Sequence, residues 1–385
     1  MNQELIYLDN NATTKLDPRV LEAMMPFLTN QYGNAASNHE FGVAINQYVK
    51  EARANIAELI GCDDHEIIFT SGATESINLA IKGIAESNQG KGKHIVTVVT
   101  EHPAVLDTCR HLERQGYEIT YLPVGPDGLL DMHNVGQSIR EDTILVSVML
   151  VNNEIGVIQR IEEIAEIAHA KGAFFMTDAT QAVGKIPVLV NHLGIDLMSF
   201  SGHKFYGPKG VGALYVRSKR PNKAKLNALI HGGGHEKGLR SGTLNVPGIV
   251  GMGQAAWIAR KEMQADAQRI GKIRDYIEKE LLQIDHAFLN GHSNQRLYNV
   301  TNICFEDADA DAMIIDLKDI MVSNGSACSS TSVEPSHVLM ALGLTERQGF
   351  SSLRISLGRF NTQQEAVIAV KSIKEIVTNL RLMNV

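Results

Sequence analysis

Ala173-Phe174-Phe175-Met176-Thr177-Asp178 is an apolar run closed by a carboxylate, and Leu197-Met198-Ser199-Phe200-Ser201-Gly202-His203-Lys204 is a second run, closed by a lysine. Both are short and suited to a pleated surface, so Ala173–Thr177 and Leu197–Ser201 read as strands. The pattern repeats outward. Upstream, Glu66–Thr70 precedes a helical stretch at Glu75–Glu86, His94–Val99 precedes Ala104–Gln115, and Thr143–Met149 precedes Ile161–Ala170. Downstream, Gly212–Val216 adds a further strand. Strands alternating with amphipathic helices predict an α/β fold with a mainly parallel sheet covered by helices.

From about Val250 to Ile284 the period becomes helical, with Ala255, Ile258 and Met263 placed to face a core, which predicts a bridging helix. Beyond it come a strand at Tyr298–Phe305, a helix near Ala310–Leu317, a helix at Pro335–Leu342, a strand at Leu353–Leu357 and a closing helix from Gln363. This is a second, smaller α+β unit. No repeat or low-complexity linker separates the two, so close packing is expected.

A chain of 385 residues has room for both units and a sizeable core. Its net charge of −7 argues against direct binding to nucleic acid, which draws on clustered cations. The first residues carry Glu4 and Asp9 without a long apolar run, and no run approaches the roughly 20 apolar residues of a membrane helix. A cytoplasmic chain with no membrane partner is expected. Cys62, Cys109, Cys304 and Cys328 show no CxxC or Cys/His metal spacing.

The chemistry gathers where strands end. Lys204 follows a strand and suits a Schiff-base nucleophile, if a partly desolvated site lowers its pKa; a surface lysine after a strand is the alternative. Asp178 closes its strand at the end where open parallel sheets bind ligands. It can hold a protonated pyridine nitrogen, or simply cap the next segment. Thr70-Ser71-Gly72-Ala73-Thr74-Glu75 reads as strand, turn and helix start, a phosphate cradle without the lysine of a nucleotide loop. Helix capping alone also accounts for Ser71 or Thr74.

His102 can stack on an aromatic ring or serve as a satisfied core histidine. Asn153 again follows a strand and can bind a ring hydroxyl or a carboxylate, while Asn152 suits the turn. Arg354 lies inside an apolar strand, where an unpaired charge is costly. It needs an anion, supplied by a buried salt bridge or by a substrate α-carboxylate. Cys328 lies in Ser323-Asn324-Gly325-Ser326-Ala327-Cys328-Ser329-Ser330-Thr331-Ser332, small polar residues with little to pack, so a mobile loop with a reactive thiol is expected. Cys304 looks like a strand core position, and Cys62 and Cys109 look inert.

Together these segments resemble the cysteine desulfurases of the NifS/IscS type, within the aspartate aminotransferase-like superfamily of pyridoxal-phosphate enzymes. The resemblance begins at Tyr7-Leu8-Asp9-Asn10-Asn11-Ala12-Thr13-Thr14 and passes through the segments above, Gly232–Glu236, Arg240–Thr243 and Glu334–His337, to Arg354–Arg359. It implies a fold-type-I large domain with a seven-stranded, mainly parallel sheet over 15–260, and a small domain of 1–14 and 261–385. It implies pyridoxal 5′-phosphate as cofactor, with Lys204 as Schiff-base lysine, Asp178 at the ring nitrogen, Gln181 and Asn153 near the ring oxygen, and His102 stacked on the ring. Ala73, Thr74, Ser201 and His203 hold the phosphate, joined by Thr243 from a second subunit, which makes the working unit a homodimer.

On the same resemblance Arg354 and Asn153 orient L-cysteine, Lys204 or His102 moves the α-proton, and Cys328 receives the sulfur as a persulfide as alanine leaves. The acceptor is then a protein such as an iron–sulfur scaffold, and no resident metal is implied beyond a transient iron–sulfur contact through Cys328. Asn324, Ala35-Ala36-Ser37 and Ser329 depart from the family's usual residues without touching that chemistry. An aminotransferase, a selenocysteine lyase and a non-enzymatic sulfur carrier remain as alternatives, separated by Cys328, by substrate preference and by Lys204 respectively.

Overall fold

The computed structural model describes residues 5–325 and 334–383. A short strand, β1 (Ile6–Tyr7), opens it. The next strands are β2 (Ile67–Thr70), β3 (His94–Val98), β4 (Glu118–Leu122), β5 (Thr143–Ser147), β6 (Phe174–Asp178), β7 (Leu197–Ser201) and β8 (Gly212–Val216). They form one seven-stranded sheet in the order β2-β8-β7-β6-β5-β3-β4. Neighbours pair in parallel from β4 to β7, and β8 runs against both β2 and β7. A mainly parallel seven-stranded α/β sheet is therefore present.

Successive side chains point to opposite faces of a strand, and both faces here are covered. Ile67, Phe69, Val96, Val98, Phe175, Met198 and Phe200 enter one hydrophobic cluster, while Ile68, Ile95, Met176, Leu197 and Leu214 enter another. The first packs with helices Glu40–Ile60 and Ile161–Ala170, the second with Ala73–Ser87 and Pro103–Glu113. The six strands read from the sequence are all present, Leu197–Ser201 and Gly212–Val216 with the expected ends and the other four with ends moved by one or two residues. Phe174–Asp178 replaces the expected Ala173–Thr177, so Asp178 is itself the last strand residue.

The seventh, β4, escaped the sequence reading of strands because Glu-Ile-Thr-Tyr-Leu lies at a sheet edge, half exposed, with no clean apolar face. Helices Pro18–Thr29 and Glu40–Ile60 also escaped it. The first carries Pro26 in its interior, although Asp17 caps it by accepting from the Arg19 N–H. The second is capped by His39 and stopped by Gly61 in the left-handed region at φ 69°.

The expected bridging helix runs over Val246–Leu281, 36 residues. Its first half, including Ile249, Ala255 and Ile258, packs into the large-sheet core, and its second half, Ile270, Ile273 and Ile277, packs into a separate cluster. That second cluster lies on β9 (Ala287–Leu289), β10 (Val300–Phe305), β11 (Ile320–Met321) and β12 (Ser352–Ser356), with helices Ala310–Leu317 and Gln363–Met383. β10 is flanked by β9 and β12, both antiparallel to it, and β1 pairs in parallel with β11. The N-terminal segment then crosses to the large sheet. The helix expected at Pro335–Leu342 is shorter, His337–Ala341.

Candidate active site

The carboxyl ends of β2, β3, β5, β6 and β7 open onto a cavity of about 620 Å³. Asp178 and Ser201 close β6 and β7, and a single 3₁₀ turn, Gly202–Lys204, swings Lys204 over the strand ends. The same cavity is lined by Ala73, Thr74, His102, Asn153, Gln181, His203 and Arg354. Sequence reasoning placed all of these at one site, and the fold brings them together. Thr243 is exposed and lies outside this cavity. Cys328 falls outside the described residues.

Lys204 Nζ donates to the carbonyl oxygens of Asn11 and Ala12 at 2.6 and 2.8 Å. These residues were quoted in the sequence but given no role. Their contribution passes through backbone carbonyls, which every residue type carries, so side-chain chemistry gave no signal. Thr13 and Thr14 extend the same anchorage. Thr13 Oγ1 meets His203 Nδ1 at 3.1 Å, and Thr14 Oγ1 donates to the His203 carbonyl at 2.9 Å while accepting the Tyr206 N–H at 2.8 Å.

Asp178 is buried, and its Oδ1 accepts from the Thr180 N–H at 2.9 Å and weakly from Ser199 Oγ at 3.4 Å. This fixes the carboxylate against the end of the sheet. His102 caps helix Pro103–Glu113 by accepting the Ala104 N–H on Nδ1 at 3.1 Å, so the neutral ring carries its proton on Nε2. The ring is open to the cavity, yet the protein packed around it lowers its pKa, partly offset by Asp178. His203 is pushed down to about 4, first by burial and then by Lys204, so its imidazole is neutral.

Beneath the site lie two groups that the sequence did not single out. Glu101 is fully buried, and burial first and Asp178 second raise its pKa well above the usual carboxyl range. Lys185, also fully buried, is lowered to about 7 by desolvation, with Lys204 and Arg354 adding to the effect.

Arg354 is 2 % exposed, and the buried salt bridge is the reading that the structure bears out. Its Nη2 pairs with Asp9 Oδ1 at 2.7 Å and its Nη1 donates to the Asn153 carbonyl at 3.2 Å, while Nε has no partner among the described residues. It also faces the cavity. Asn152 makes the turn expected of it, its Oδ1 accepting the N–H groups of Glu154 and Ile155 at 2.9 and 3.0 Å. Glu154 is buried and raised to about 7 by desolvation, against the lowering effects of Ser336 and Arg354.

The described residues on either side of 326–333 are held beside this wall. The Arg354 N–H donates to the Ser323 carbonyl at 2.6 Å, and Ser336 Oγ donates to Glu154 Oε2. Gly325 has φ +82°, which disfavours a side chain, and a Cβ there would stand 2.6 Å from Glu154 Oε2 and displace that carboxyl. Among the described cysteines, Cys109 and Cys304 are buried and Cys62 half-buried, and burial pushes each thiol up to about 12. They stay protonated at neutral pH, as the inert assignment expected.

The residues present fit pyridoxal phosphate. Helix Ala73–Ser87 starts without a side-chain cap, because Gly72 has none to offer, and this leaves first-turn N–H donors for an anion. A Cβ on Gly72 would stand 3.7 Å from Ser201 Oγ, in the space between the helix end and that hydroxyl. The cavity has room for a ring, a phosphate and a small amino acid.

The aminotransferase class-V family model matches residues 6–368. Cysteine desulfurase IscS of Edwardsiella ictaluri is 53% identical over 379 residues, covering 98% of this chain and 93% of that protein. Among solved structures, a NifS-like protein superposes with TM-score 0.91 at 38% identity, over 97% of this chain and 100% of the other. SspA in complex with cysteine superposes with TM-score 0.82 at 37% identity, over 93% and 100%.

Proposed function

The chain belongs to the class-V aminotransferase family, and from that premise we propose that it is a pyridoxal-phosphate-dependent cysteine desulfurase, converting L-cysteine to L-alanine with its sulfur left on Cys328. The observation that carries the reading is the meeting of Lys204, Asp178, His102 and Arg354 around one cavity at the strand ends. We read the chain as a large unit over 15–260 and a small one from 1–14 and 261–385, with the cavity at their junction.

When bound, pyridoxal phosphate supplies an electron sink for negative charge at the substrate's α-carbon. Lys204 would hold it covalently, and Asp178 would keep its ring nitrogen protonated. His102 would cover the ring face, Gln181 and Asn153 would hold the ring oxygen, and Ala73, Thr74, Ser201 and His203 would take the phosphate. Arg354 and Asn153 orient the cysteine carboxylate. Lys204 Nζ carries the α-proton, in preference to His102, whose Nδ1 is engaged by Ala104 and whose Nε2 is already protonated.

The substrate's C–S bond breaks as its sulfur bonds to the Cys328 thiolate, and alanine departs with a proton in place of the sulfur. Anchoring of Ser323 by Arg354 and of Ser336 by Glu154 supports delivery of the thiol from the segment between them. Transfer to an iron–sulfur scaffold or another sulfur-accepting protein, work in the cytoplasm, and a homodimer with Thr243 serving the partner's site belong to the same reading. No helix among the described residues is long and apolar enough to cross a membrane.

Mass spectrometry after incubation with cysteine, with and without borohydride, tests the reading. One reduced cofactor adduct on Lys204 and one added sulfur on Cys328 are expected. Cys328→Ser should keep the yellow cofactor and lose persulfide and sulfide formation; undiminished desulfuration by that variant rejects Cys328 as the acceptor. Transamination of cysteine instead would return the aminotransferase alternative.

A further inference from the structure

A buried amine is costly, and an apolar side chain of similar length would pack at the Lys185 position without that cost. Lys185 is 3 % exposed and does not reach the cavity lining. Its Nζ donates to Gln181 Oε1 at 2.7 Å, and Gln181 Nε2 donates in turn to the Asn11 carbonyl at 2.9 Å. That carbonyl is the one that also accepts from Lys204.

The direction of this relay follows from the donor inventory. A lysine ammonium has donors only, a neutral amine has N–H donors and one accepting lone pair, and an amide has one accepting end and one donating end. Between the Lys185 amine behind it and the Asn11 carbonyl ahead of it, the Gln181 amide is satisfied at both ends with its oxygen facing inward. Its NH₂ must then face Asn11 and the cavity, one hydrogen on the Asn11 carbonyl and the second left for a ligand acceptor. Without Lys185 the inward oxygen loses its donor and the Asn11 carbonyl alone orients the amide, so turned-over states, whose oxygen repels the ring oxygen of the cofactor, gain population.

We infer that Lys185 is a positioning residue of the cofactor site, acting through Gln181 to fix a hydrogen-bond donor toward the ring oxygen of pyridoxal phosphate. This rests on the cofactor assignment above. Burial, reinforced by the nearby charges of Lys204 and Arg354, keeps the amine easily neutralised, which lessens the cost of holding it there.

The test is a double-mutant cycle read by cofactor affinity. Apo protein is prepared for wild type, Lys185→Met, Gln181→Leu and the double variant, and the dissociation constant of pyridoxal phosphate is measured by absorbance titration. Lys185→Met is expected to weaken binding by about five- to tenfold, the worth of one well-placed hydrogen bond. In the Gln181→Leu background the same substitution should change nothing further.

Wild-type affinity in Lys185→Met, or losses that multiply in the double variant, overturn the inference, since a merely structural lysine gives the second pattern. If Lys185→Met fails to fold by circular dichroism, the cycle is run with Lys185→Gln, judged by the same non-additivity. Failure of wild type to take up the cofactor would reject the shared premise, whereas normal uptake without coupling rejects Lys185 alone.

Discussion

At the scale of single residues, the site is built from charges held where water is scarce. Arg354 has Asp9 and the Asn153 carbonyl as resident partners and an Nε with no partner among the described residues. Arg354→Met should raise KM for cysteine by about 10- to 100-fold, the range for losing charge-assisted hydrogen bonds, with a smaller change in kcat; steady-state kinetics check it. Glu154 offers a pH test. Its folded pKa of about 7 exceeds the unfolded carboxyl value, so between about pH 4.5 and 7 the folded state binds the extra proton. The neutral carboxyl's stability is therefore present at low pH and lost as pH climbs through 7. Glu154→Gln mimics the neutral form, and should be more stable than wild type at pH 8, by on the order of 2 kcal/mol, with the gap closing toward pH 5. Urea midpoints at the two pH values measure it. Lys204, Asp178 and Arg354 were legible in the sequence because a charged group that closes or interrupts an apolar strand is conspicuous. Lys185 was not, since a lysine after a turn looks the same whether it is buried or in solvent.

Among elements, the strands were read well where both faces are buried and poorly where one is not. β5 and β7 each combine three apolar residues with two small hydroxyls and are buried at every position; β4 is buried only at Leu122 and carries a mixed pattern. Helix Glu40–Ile60 went unread although its cap residues His39 and Gly61 stand at its ends, because His is a less familiar cap than Ser or Asp. Its packing against Val246–Leu281 includes one backbone approach that leaves no room for a side chain. A Cβ on Gly253 would lie 2.5 Å from Ala52 Cα, which is backbone and cannot swing aside. Gly253→Ala should therefore cost about 1 to 3 kcal/mol despite improving helix propensity, and a lowered denaturant midpoint with an unchanged slope is the expected signature. A rise in the midpoint would show that the two helices have room to part.

For the whole molecule, helix Val246–Leu281 is the shared member, roughly 54 Å long by its rise per residue and sunk at its two ends in two different cores. Ala265→Pro, between those ends, should uncouple them, and calorimetry should then resolve two transitions where wild type gives one. The other connector is the N-terminal segment. Ile6 pairs with Ile320 and Asp9 with Ser356, while Asn11 and Ala12 a few residues on grip Lys204. The residues that grip Lys204 precede the large sheet in the chain, yet the strands that seat them follow it, so the reactive amine is clasped by a loop whose far ends are tied together by segments more than 300 residues apart.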